Sequence, residues 1–360
     1  MADTFDGTSL DTTKWVEWNK GLQSEVDGGY NPPAVGGGTL TLGGTTTHSY
    51  WAGKSVRSTD AFQVPEGGEV AFEVDRVSLT GSGTAYRSSM WMYADATHFH
   101  HFSQNIGENG WQYNAGNSSP VGGGNNLSRV DYLDSDGGQH AMTLVHDGAF
   151  VKMFLDGHWI GSQAADFDQF QVMLTGQARY AGDTVSAEFD NAAVSTRVYD
   201  NPIHDDFNSG TISSGKWRVI AKGLENQGVQ GSMTATVENG ELLIQGSAGA
   251  QYWHGLTLQN VLTMSPGGSA TFAVDRDTVI RGGSSAVRTG VWVWADDDHF
   301  LFFGQDLGEN GWQYNYEDGS GVGSPVGGGV NIGALDYLDG DEGPHELKVS
   351  VYPDGSGALV

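Results

Sequence analysis

The sequence of 360 residues contains no cysteine and only 17 lysine and arginine residues, against 44 aspartate and glutamate residues. The lack of cysteine excludes disulfides, thiolate metal sites and a cysteine nucleophile. The formal net charge of −27 leaves no basic stripe that could displace counterions, so we expect no nucleic-acid partner. No apolar run approaches the length of a membrane span, so we expect no membrane insertion.

The composition favours β-structure with many turns. The chain has 55 glycines without a collagen period, and it is rich in threonine, valine and aromatic residues. Short alternating runs such as MWMYA, FEVDRV and MTLVHD, bounded by glycine or aspartate, are typical of antiparallel strands. We therefore predict an all-β fold, with a two-sheet sandwich favoured over a barrel.

The octet GENGWQYN occurs twice, at residues 107–114 and 308–315. Other pairs follow at a similar offset: FEVDR with FAVDR, MWMYAD with VWVWAD, SPVGGG with SPVGGG, and DYLD with DYLD. A repeat of this length is too long for a solenoid unit and indicates tandem domains. We predict a first domain over 1–197, a linker over 198–204 and a second domain over 205–360.

The second copy is shorter than the first. Its end at 355–360, GSGALV, aligns with GAFV at 148–151, and the following strands of the first copy have no counterpart. A sandwich without those strands would expose its core and strand edges. We expect the natural chain to continue past Val360, with a strand donated by another subunit as the alternative.

Several segments resemble concanavalin A-like lectin/glucanase domains. DTFDGTSLDTTKW (3–15) and DDFNSGTISSGKW (205–217) are similar to the opening strand and turn of that superfamily. Residues 134–161 resemble its laminin-G-type pattern, and AEFDNAAVS (187–195) resembles its closing strand. The resemblance implies tandem jelly-roll β-sandwiches. It does not choose a function, because lectins, glycosidases, lyases and adhesion domains share this fold.

The glucanase members use a strand motif with carboxylates on one face, which Glu73 and Asp75 match in part. The third carboxylate is missing, and the second copy has Ala273 in place of Glu73. We therefore predict no catalytic residue from this motif, and leave open whether the chain is an enzyme.

Histidines offer a second candidate site, because His98 and His100 have the spacing of metal ligands on a strand. The second copy keeps only His299 there, so we favour a half-buried aromatic strand over a metal site.

Paired aromatic residues with nearby arginines form the candidate ligand site. Aromatic rings suit pyranose stacking, and arginine can donate to sugar hydroxyls. The resemblance implies that these strands lie on the ligand-binding concave sheet, while packing in the core is the alternative. The candidates are Arg87, Trp91, Tyr93, Trp111 and Tyr113 in the first copy, and Arg288, Trp292, Trp294, Trp312 and Tyr314 in the second.

Calcium is the one cofactor that the sequence suggests. The turns DYLDSDGG (131–138) and DYLDGDEG (336–343) cluster carboxylates in both copies, and Ca²⁺ takes oxygen ligands from such loops. The candidate ligands are Asp134, Asp136, Asp339 and Asp341.

We predict a non-catalytic protein that binds a glycan or a surface and serves in attachment. The N-terminal segment lacks the basic and apolar regions of a signal peptide, so the expected setting is a virion surface, spike or tail fibre, within a larger assembly. An extracellular adhesin whose signal was removed is the rival setting. A structural spacer and a secreted glycosidase or lyase are the alternative functions.

Overall fold

The computed structural model describes twelve parts of the chain, and the bounds below refer to them. Within these parts, no helix is long and apolar enough to cross a membrane. The described residues are 1–18, 30–48, 50–116, 124–198, 203–220, 231–248, 255–261, 270–283, 286–296, 299–318, 329–351 and 357–359.

The first half of the chain is built from strands and one short 3-10 helix. In chain order the elements are β1 (Ala2–Asp3), β2 (Trp15–Trp18), β3 (Ala34–Gly36), β4 (Thr39–Thr45), β5 (Ala52–Ser58), β6 (Phe62–Gln63), β7 (Gly68–Ser82), β8 (Tyr86–Tyr93), β9 (Phe99–Ile106), β10 (Gly110–Ala115), β11 (Asn125–Asn126), η1 (Ser128–Leu133), β12 (His140–His146), β13 (Phe150–Leu155), β14 (His158–Ala164), β15 (Gln169–Ala178) and β16 (Thr184–Val198).

These strands form two 8-stranded sheets. Sheet A has the order β14-β13-β12-β7-β16-β4-β3, with β1 added to β16. Sheet B has the order β11-β10-β9-β8-β15-β5-β2, with β6 added to β15. The pairings in both sheets are antiparallel. This architecture confirms the predicted all-β sandwich.

The core lies between the two sheets and follows the period-two pattern of the strands. In β7, Val70, Phe72 and Val74 point into it, while in β8 Met90 and Met92 do so. The residues between them therefore point to the outer faces of the sheets.

The second half contains β17 (Arg218–Ile220), β18 (Gly231–Glu238), β19 (Glu241–Ala248), β20 (Thr257–Gln259), β21 (Ala270–Arg276), β22 (Val287–Asp296), β23 (His299–Leu307), β24 (Gly311–Asp318), β25 (Val330–Asn331), η2 (Gly333–Leu338), β26 (His345–Val351) and β27 (Gly357–Leu359). Its described sheets have the orders β22-β23-β24-β25, β21-β26-β27, β17-β20 and β18-β19.

The repeated sequence segments form the same local structure twice. Strands β22 to β25 pair as β8 to β11 do, and β21 pairs with β26 as β7 does with β12. The 3-10 helices η1 and η2 contain the two DYL segments, which the sequence analysis treated as turns. The division into domains 1–197 and 205–360 stays a prediction, and most of the predicted linker lies outside the described residues.

The start of the second half packs on the outer face of sheet A. Ile220 in β17 is buried against Ala71, Val145 and Phe154. Beside it, Arg218 forms an ion pair of 2.8 Å with Glu69, whose side chain is 2 % exposed. An apolar contact and a buried ion pair therefore join β17 to sheet A.

Candidate functional site

Sheet B carries polar side chains on the face opposite the core. The register pairs Trp91 of β8 with His101 of β9, and His101 with Asn114 of β10. Directly opposite residues of neighbouring strands point to the same side of a sheet. We call this set of buried side chains the polar face. Its residues, each at most 3 % exposed, are Arg87, Ser89, Trp91, His101, Ser103, Asn105, Gln112, Asn114, Thr175 and Gln177.

Three side chains of the polar face have polar nitrogens that form no hydrogen bond within the described part of the chain. These atoms are Nη2 of Arg87, Nε2 of His101 and Nδ2 of Asn114, all in side chains that are buried. Nearly all buried polar groups in proteins are hydrogen-bonded, and leaving one unpaired costs about 1–3 kcal/mol. The gathering of three such nitrogens on one face makes that face the candidate site.

Arg87 is the charged group of this face. Its Nε donates to Gln177, and its guanidinium lies 4.0 Å from the centroid of the Trp51 ring. Burial is the largest cause that lowers the pKa of Arg87 well below its usual value, and the nearby Arg179 adds to it. Among the described residues, no aspartate or glutamate forms an ion pair with Arg87.

His101 and Asn114 form a polar pair beside the Trp91 ring. The His101 Nδ1 and Asn114 Oδ1 atoms are 3.2 Å apart, and burial lowers the pKa of His101 well below its usual value. The ring is therefore neutral at pH 7, and its Nδ1 donates if the amide oxygen accepts. In that tautomer, Nε2 is left as an acceptor.

Trp91 and Tyr93 share a face, as the alternation predicts, but the Trp91 ring is covered by other rings. Its centroid is 4.2 Å from that of His101 and 5.3 Å from that of Phe99, and its Nε1 donates to Thr175 Oγ1 at 3.2 Å. Tyr93 is 7 % exposed in the same cluster. Trp91 thus contributes packing to the polar face and presents no open ring for stacking.

Trp111 and Tyr113 lie on the opposite side of sheet B from Trp91 and Tyr93. Trp111 is fully buried in the main core, and Tyr113 packs against that core. In the second half, Trp312 lies in the core cluster around Val349. The register places Tyr314 on that core side too, opposite Phe303. We assign these four residues to packing, because strand alternation turns them away from the polar face.

The second half has a related face with different chemistry. Strands β22 and β23 place Arg288 opposite Asp306, and the guanidinium and carboxylate form a 2.8 Å ion pair. Trp292 packs against Phe300 and Phe302. Trp294 lies near Lys152 of the first half, with 4.8 Å between the ammonium and the ring centroid. The predicted residues Arg288 and Trp292 are thus brought together, and Trp294 contacts the other half.

The aspartates of the two DYLD turns hold the backbone of the repeated octets. Trp111 N donates to Asp134 Oδ1 at 3.1 Å, and Trp312 N donates to Asp339 Oδ1 at 3.0 Å. Each carboxylate fills the space above a glycine with positive φ, +64° at Gly110 and +69° at Gly311. A Cβ there would overlap the carboxylate, so the octet needs glycine at this position.

The backbone carbonyls of the first of these turns accept hydrogen bonds from the Arg76 guanidinium. Nη2 of Arg76 donates to the carbonyls of Asp136 at 3.0 Å and Gly138 at 2.7 Å. Nε2 of Gln104 donates to the carbonyls of Leu133, Asp134 and Asp136 at 2.7–3.1 Å. Gln104 also accepts from Arg76, and burial lowers the pKa of Arg76 to about 10.

The second turn repeats this arrangement with Arg276, Gln305 and the carbonyls of Leu338, Asp339, Asp341 and Gly343. Oxygens of the kind that bind Ca²⁺ are therefore already paired with protein donors in both turns. Asp136 and Asp341 accept from Gly138 N and Gly343 N. In the described parts of the chain, no group of three or more metal-ligating side chains could hold an ion. Calcium stays a prediction.

The carboxylates of the glucanase-like motif lie on the outer face of sheet A. Glu73 is half exposed and 3.7 Å from Arg218 Nη2, while Asp75 Oδ2 accepts from Asn191 Nδ2 at 2.8 Å. Both point away from the core and thus away from sheet B and the polar face. Their contacts are those of structural side chains.

His98 and His100 occupy different environments. His98 is exposed, and its Nδ1 lies 2.9 Å from Asp95 Oδ2. His100 is buried against Phe167, with ring centroids 5.5 Å apart, and burial lowers its pKa to about 3. His140 and His345 each pack edge-on against the tryptophan of the octet.

Sequence reasoning missed His101, Asn105 and Asn114 as members of the polar face. The sequence did contain a signal for them, namely the alternation of polar-face and core residues. On each strand, these residues lie two or four positions from the next residue of the polar face. The register that joins His101 and Asn105 to Trp91 and Arg87 depends on the β8–β9 turn at 94–98. The register that adds Asn114 depends on the β9–β10 turn at 107–110. The sequence alone does not define either register.

The sequence matches no protein-family model and no curated protein. Solved structures with a similar chain course include a Bacillus licheniformis beta-glucanase, with 15 % identity and a TM-score of 0.37, over 54 % of this chain and 97 % of that chain. A prokaryotic beta-1,3-1,4-glucanase from a mouse hindgut metagenome has 15 % identity and a TM-score of 0.37, over 53 % and 97 %. A glycosyl hydrolase family protein from Mycobacterium fortuitum has 14 % identity and a TM-score of 0.39, over 54 % and 98 %. At these TM-scores the likenesses do not bear on the activity of this chain.

Proposed function

We propose that this protein binds a glycan at the polar face of sheet B and acts in attachment rather than in catalysis. One observation carries the proposal: unpartnered nitrogens of Arg87, His101 and Asn114 lie on one face of one sheet. Sugar hydroxyls both donate and accept hydrogen bonds, so a saccharide can satisfy such a mixed set.

The architecture proposed with this function is two tandem jelly-roll domains, 1–197 and 205–360. The repeated strand pairs and the repeated arginine–glutamine turn support it. The setting proposed is a virion surface, spike or tail fibre, with other subunits as partners. That setting rests on the sequence alone, and an extracellular adhesin is the rival.

Two other functions compete with binding. A structural spacer would need no polar face with unpartnered nitrogens, so those atoms favour binding. A glycosidase would need a pair of carboxylates across the scissile bond, and the polar face as described contains none. In the second half, Ala273 replaces Glu73, which also speaks against a shared carboxylate mechanism.

A glycan array, followed by an end-product assay on the same sample, tests the proposal. We expect binding without release of products. The variant His101→Phe reproduces Phe302 at the matching position of the second half, so it should fold, and it should weaken binding about ten-fold or more by removing a polar partner. The matched control is His98→Gln, an exposed histidine outside the polar face. Release of products from the glycans that bind would contradict the proposal. Binding by His101→Phe as tight as that of the unchanged protein would also contradict it.

A further inference from the structure

The two related faces differ in one charge at one register position. Arg87 lies opposite Asn105 in β8 and β9, whereas Arg288 lies opposite Asp306 in β22 and β23. The Arg288 guanidinium is neutralised by the Asp306 carboxylate at 2.8 Å. Asn105 carries no charge, and its Oδ1 accepts from Ser103 Oγ at 3.2 Å.

Among the described residues, the first face therefore contains a buried cation without a protein anion. Arg87 is 1 % exposed, and its contacts in the described structure are Gln177, which accepts from Nε, and the Trp51 ring. A buried charge without a partner is costly, because the interior solvates it poorly. The same chain neutralises the equivalent cation in its second half, which shows how the fold can avoid that cost.

A second cation reinforces the preference for an anion. Arg179 is close enough to Arg87 to lower the pKa of that group by charge repulsion. Glu108 forms an ion pair with Arg179, whereas no carboxylate in the described ranges pairs with Arg87. A bound carboxylate or sulfate would supply it and accept from the unpartnered Nη2.

From these observations we infer that the first face selects a saccharide that carries one acidic group, a carboxylate or a sulfate ester, placed at Arg87. The inference rests on the proposed glycan-binding function and adds the class of ligand. Trp91 lies four residues along β8 from Arg87, a distance of about 13 Å in an extended strand. The neutral part of the saccharide would extend in that direction, toward His101 and Asn114.

The overall charge limits the ligand further. The chain carries a net charge of −27, which repels a polyanion over distances of about 8–10 Å at ordinary ionic strength. A single acidic group avoids most of that repulsion and still pairs with Arg87. We expect a saccharide with one acidic residue to bind more tightly than a polyuronate at low salt.

Calorimetric titration of the full chain tests the inference with three matched probes: a neutral oligosaccharide, the same sugar ending in one uronate, and the same sugar bearing one sulfate. The acidic probes should bind at least ten-fold more tightly than the neutral one, and the better of the two identifies the acidic group. Equal affinity for all three would overturn the inference while leaving glycan binding intact. Failure of every probe and of the glycan array would overturn both.

Reciprocal exchanges between the two halves provide the internal control. Asn105→Asp places a carboxylate opposite Arg87, as in the second half, and should remove the preference for the acidic probes. Asp306→Asn removes the carboxylate that neutralises Arg288 and should add anion binding at the second face, seen as a stoichiometry that rises from one toward two. Arg87→Gln, checked by its melting curve, removes the cation itself. An unchanged preference in folded Asn105→Asp and Arg87→Gln would contradict the inference.

Discussion

At the scale of single residues, burial and hydrogen bonds decide roles that spacing leaves open. Alternation predicted that Trp91 and Tyr93 share a face, and the structure confirms it. Trp111 has the same period-two spacing from Tyr113, yet it is fully buried in the core. Which face of a strand points inward depends on the strands paired beside it, so the sequence of one strand could not separate the two cases.

Buried histidines make stability depend on pH. Burial lowers the pKa of His100 to about 3 and also lowers those of His101 and His146. In the unfolded chain a histidine titrates near 6.5. Below that pH the unfolded chain binds protons that the native protein excludes. Stability is therefore complete above pH 6.5 and falls as the pH drops toward the native pKa values, by about 1.4 kcal/mol per pH unit for each histidine.

We predict that His100→Leu, which reproduces Leu301 of the second half, makes this decline shallower by about 1.4 kcal/mol per pH unit between pH 6 and 5. Urea unfolding at pH 7, 6 and 5 measures it. The control is His98→Gln, since Asp95 raises the pKa of His98 and its removal cannot flatten the decline. A slope unchanged in His100→Leu would show that His100 is protonated in the native protein.

Asp134 and Asp339 each accept a hydrogen bond from the backbone of an octet, and a single substitution tests how much this bond stabilises the protein. Asp134→Ala leaves Trp111 N without its acceptor, and we expect a loss of about 1–3 kcal/mol of unfolding free energy. Asp136→Ala is the matched control, because its carboxylate bonds to the exposed Gly138 N in the same turn. Equal losses from both variants would speak against the capping role of Asp134.

The calcium prediction concerns the same carboxylates and has its own test. If Asp134, Asp136, Asp339 and Asp341 bind Ca²⁺, EDTA should lower the melting temperature, because a ligand bound only by the native state stabilises it. Metal analysis of the purified protein accompanies the melting curve. An unchanged curve without bound metal would remove calcium from the account.

At the scale of elements, the sequence predicts the strands, but it does not predict which strands pair or in which register. Alternating runs gave β7, β8 and β12, and the repeated DYLD segments gave the turns. The 3-10 helices η1 and η2 were not predicted, because their last carbonyls, those of Leu133 and Leu338, accept from Gln104 and Gln305, which are distant in sequence. The polar face likewise required the register of three strands, which no local pattern specifies.

Arg76 should stabilise the turn of the first half more than Arg276 stabilises the turn of the second half. Arg76→Met leaves the carbonyls of Asp136 and Gly138 with fewer donors, and we expect a loss of about 3 kcal/mol or more in the first half. Arg276→Met is the matched variant. Burial lowers the pKa of both arginines, and Arg276 is the more exposed of the two, so its loss should be smaller. Urea unfolding followed by tryptophan fluorescence compares them, and a larger loss from Arg276→Met would reverse this ranking.

At the scale of the whole molecule, the outer face of sheet A contacts the second half of the chain. The polar face of sheet B contains the candidate site. Glu69 accepts from Arg218 and lies 3.6 Å from Arg197, so one buried carboxylate connects β7, β16 and β17. The contact with the second half and the proposed binding site are thus on opposite sides of the sandwich. This separation explains why Glu73, beside Arg218, belongs to the contact between the halves.

Glu73→Gln should therefore leave glycan binding and any carbohydrate-related activity unchanged. Glu69→Gln should instead loosen the contact between the halves, because it removes the charge that Arg218 neutralises, and calorimetry should then show two separated melting transitions. A large loss of activity in Glu73→Gln would overturn our assignment of this face.

The most direct test of the account is hydrogen–deuterium exchange of the full chain with and without the tightest-binding glycan from the array. We predict that the glycan slows exchange in peptides covering β8, β9 and β10, and leaves exchange in peptides covering β7 and β13 unchanged. Slower exchange on sheet A alone, or no protection on sheet B at saturating glycan, would contradict a binding site on the polar face.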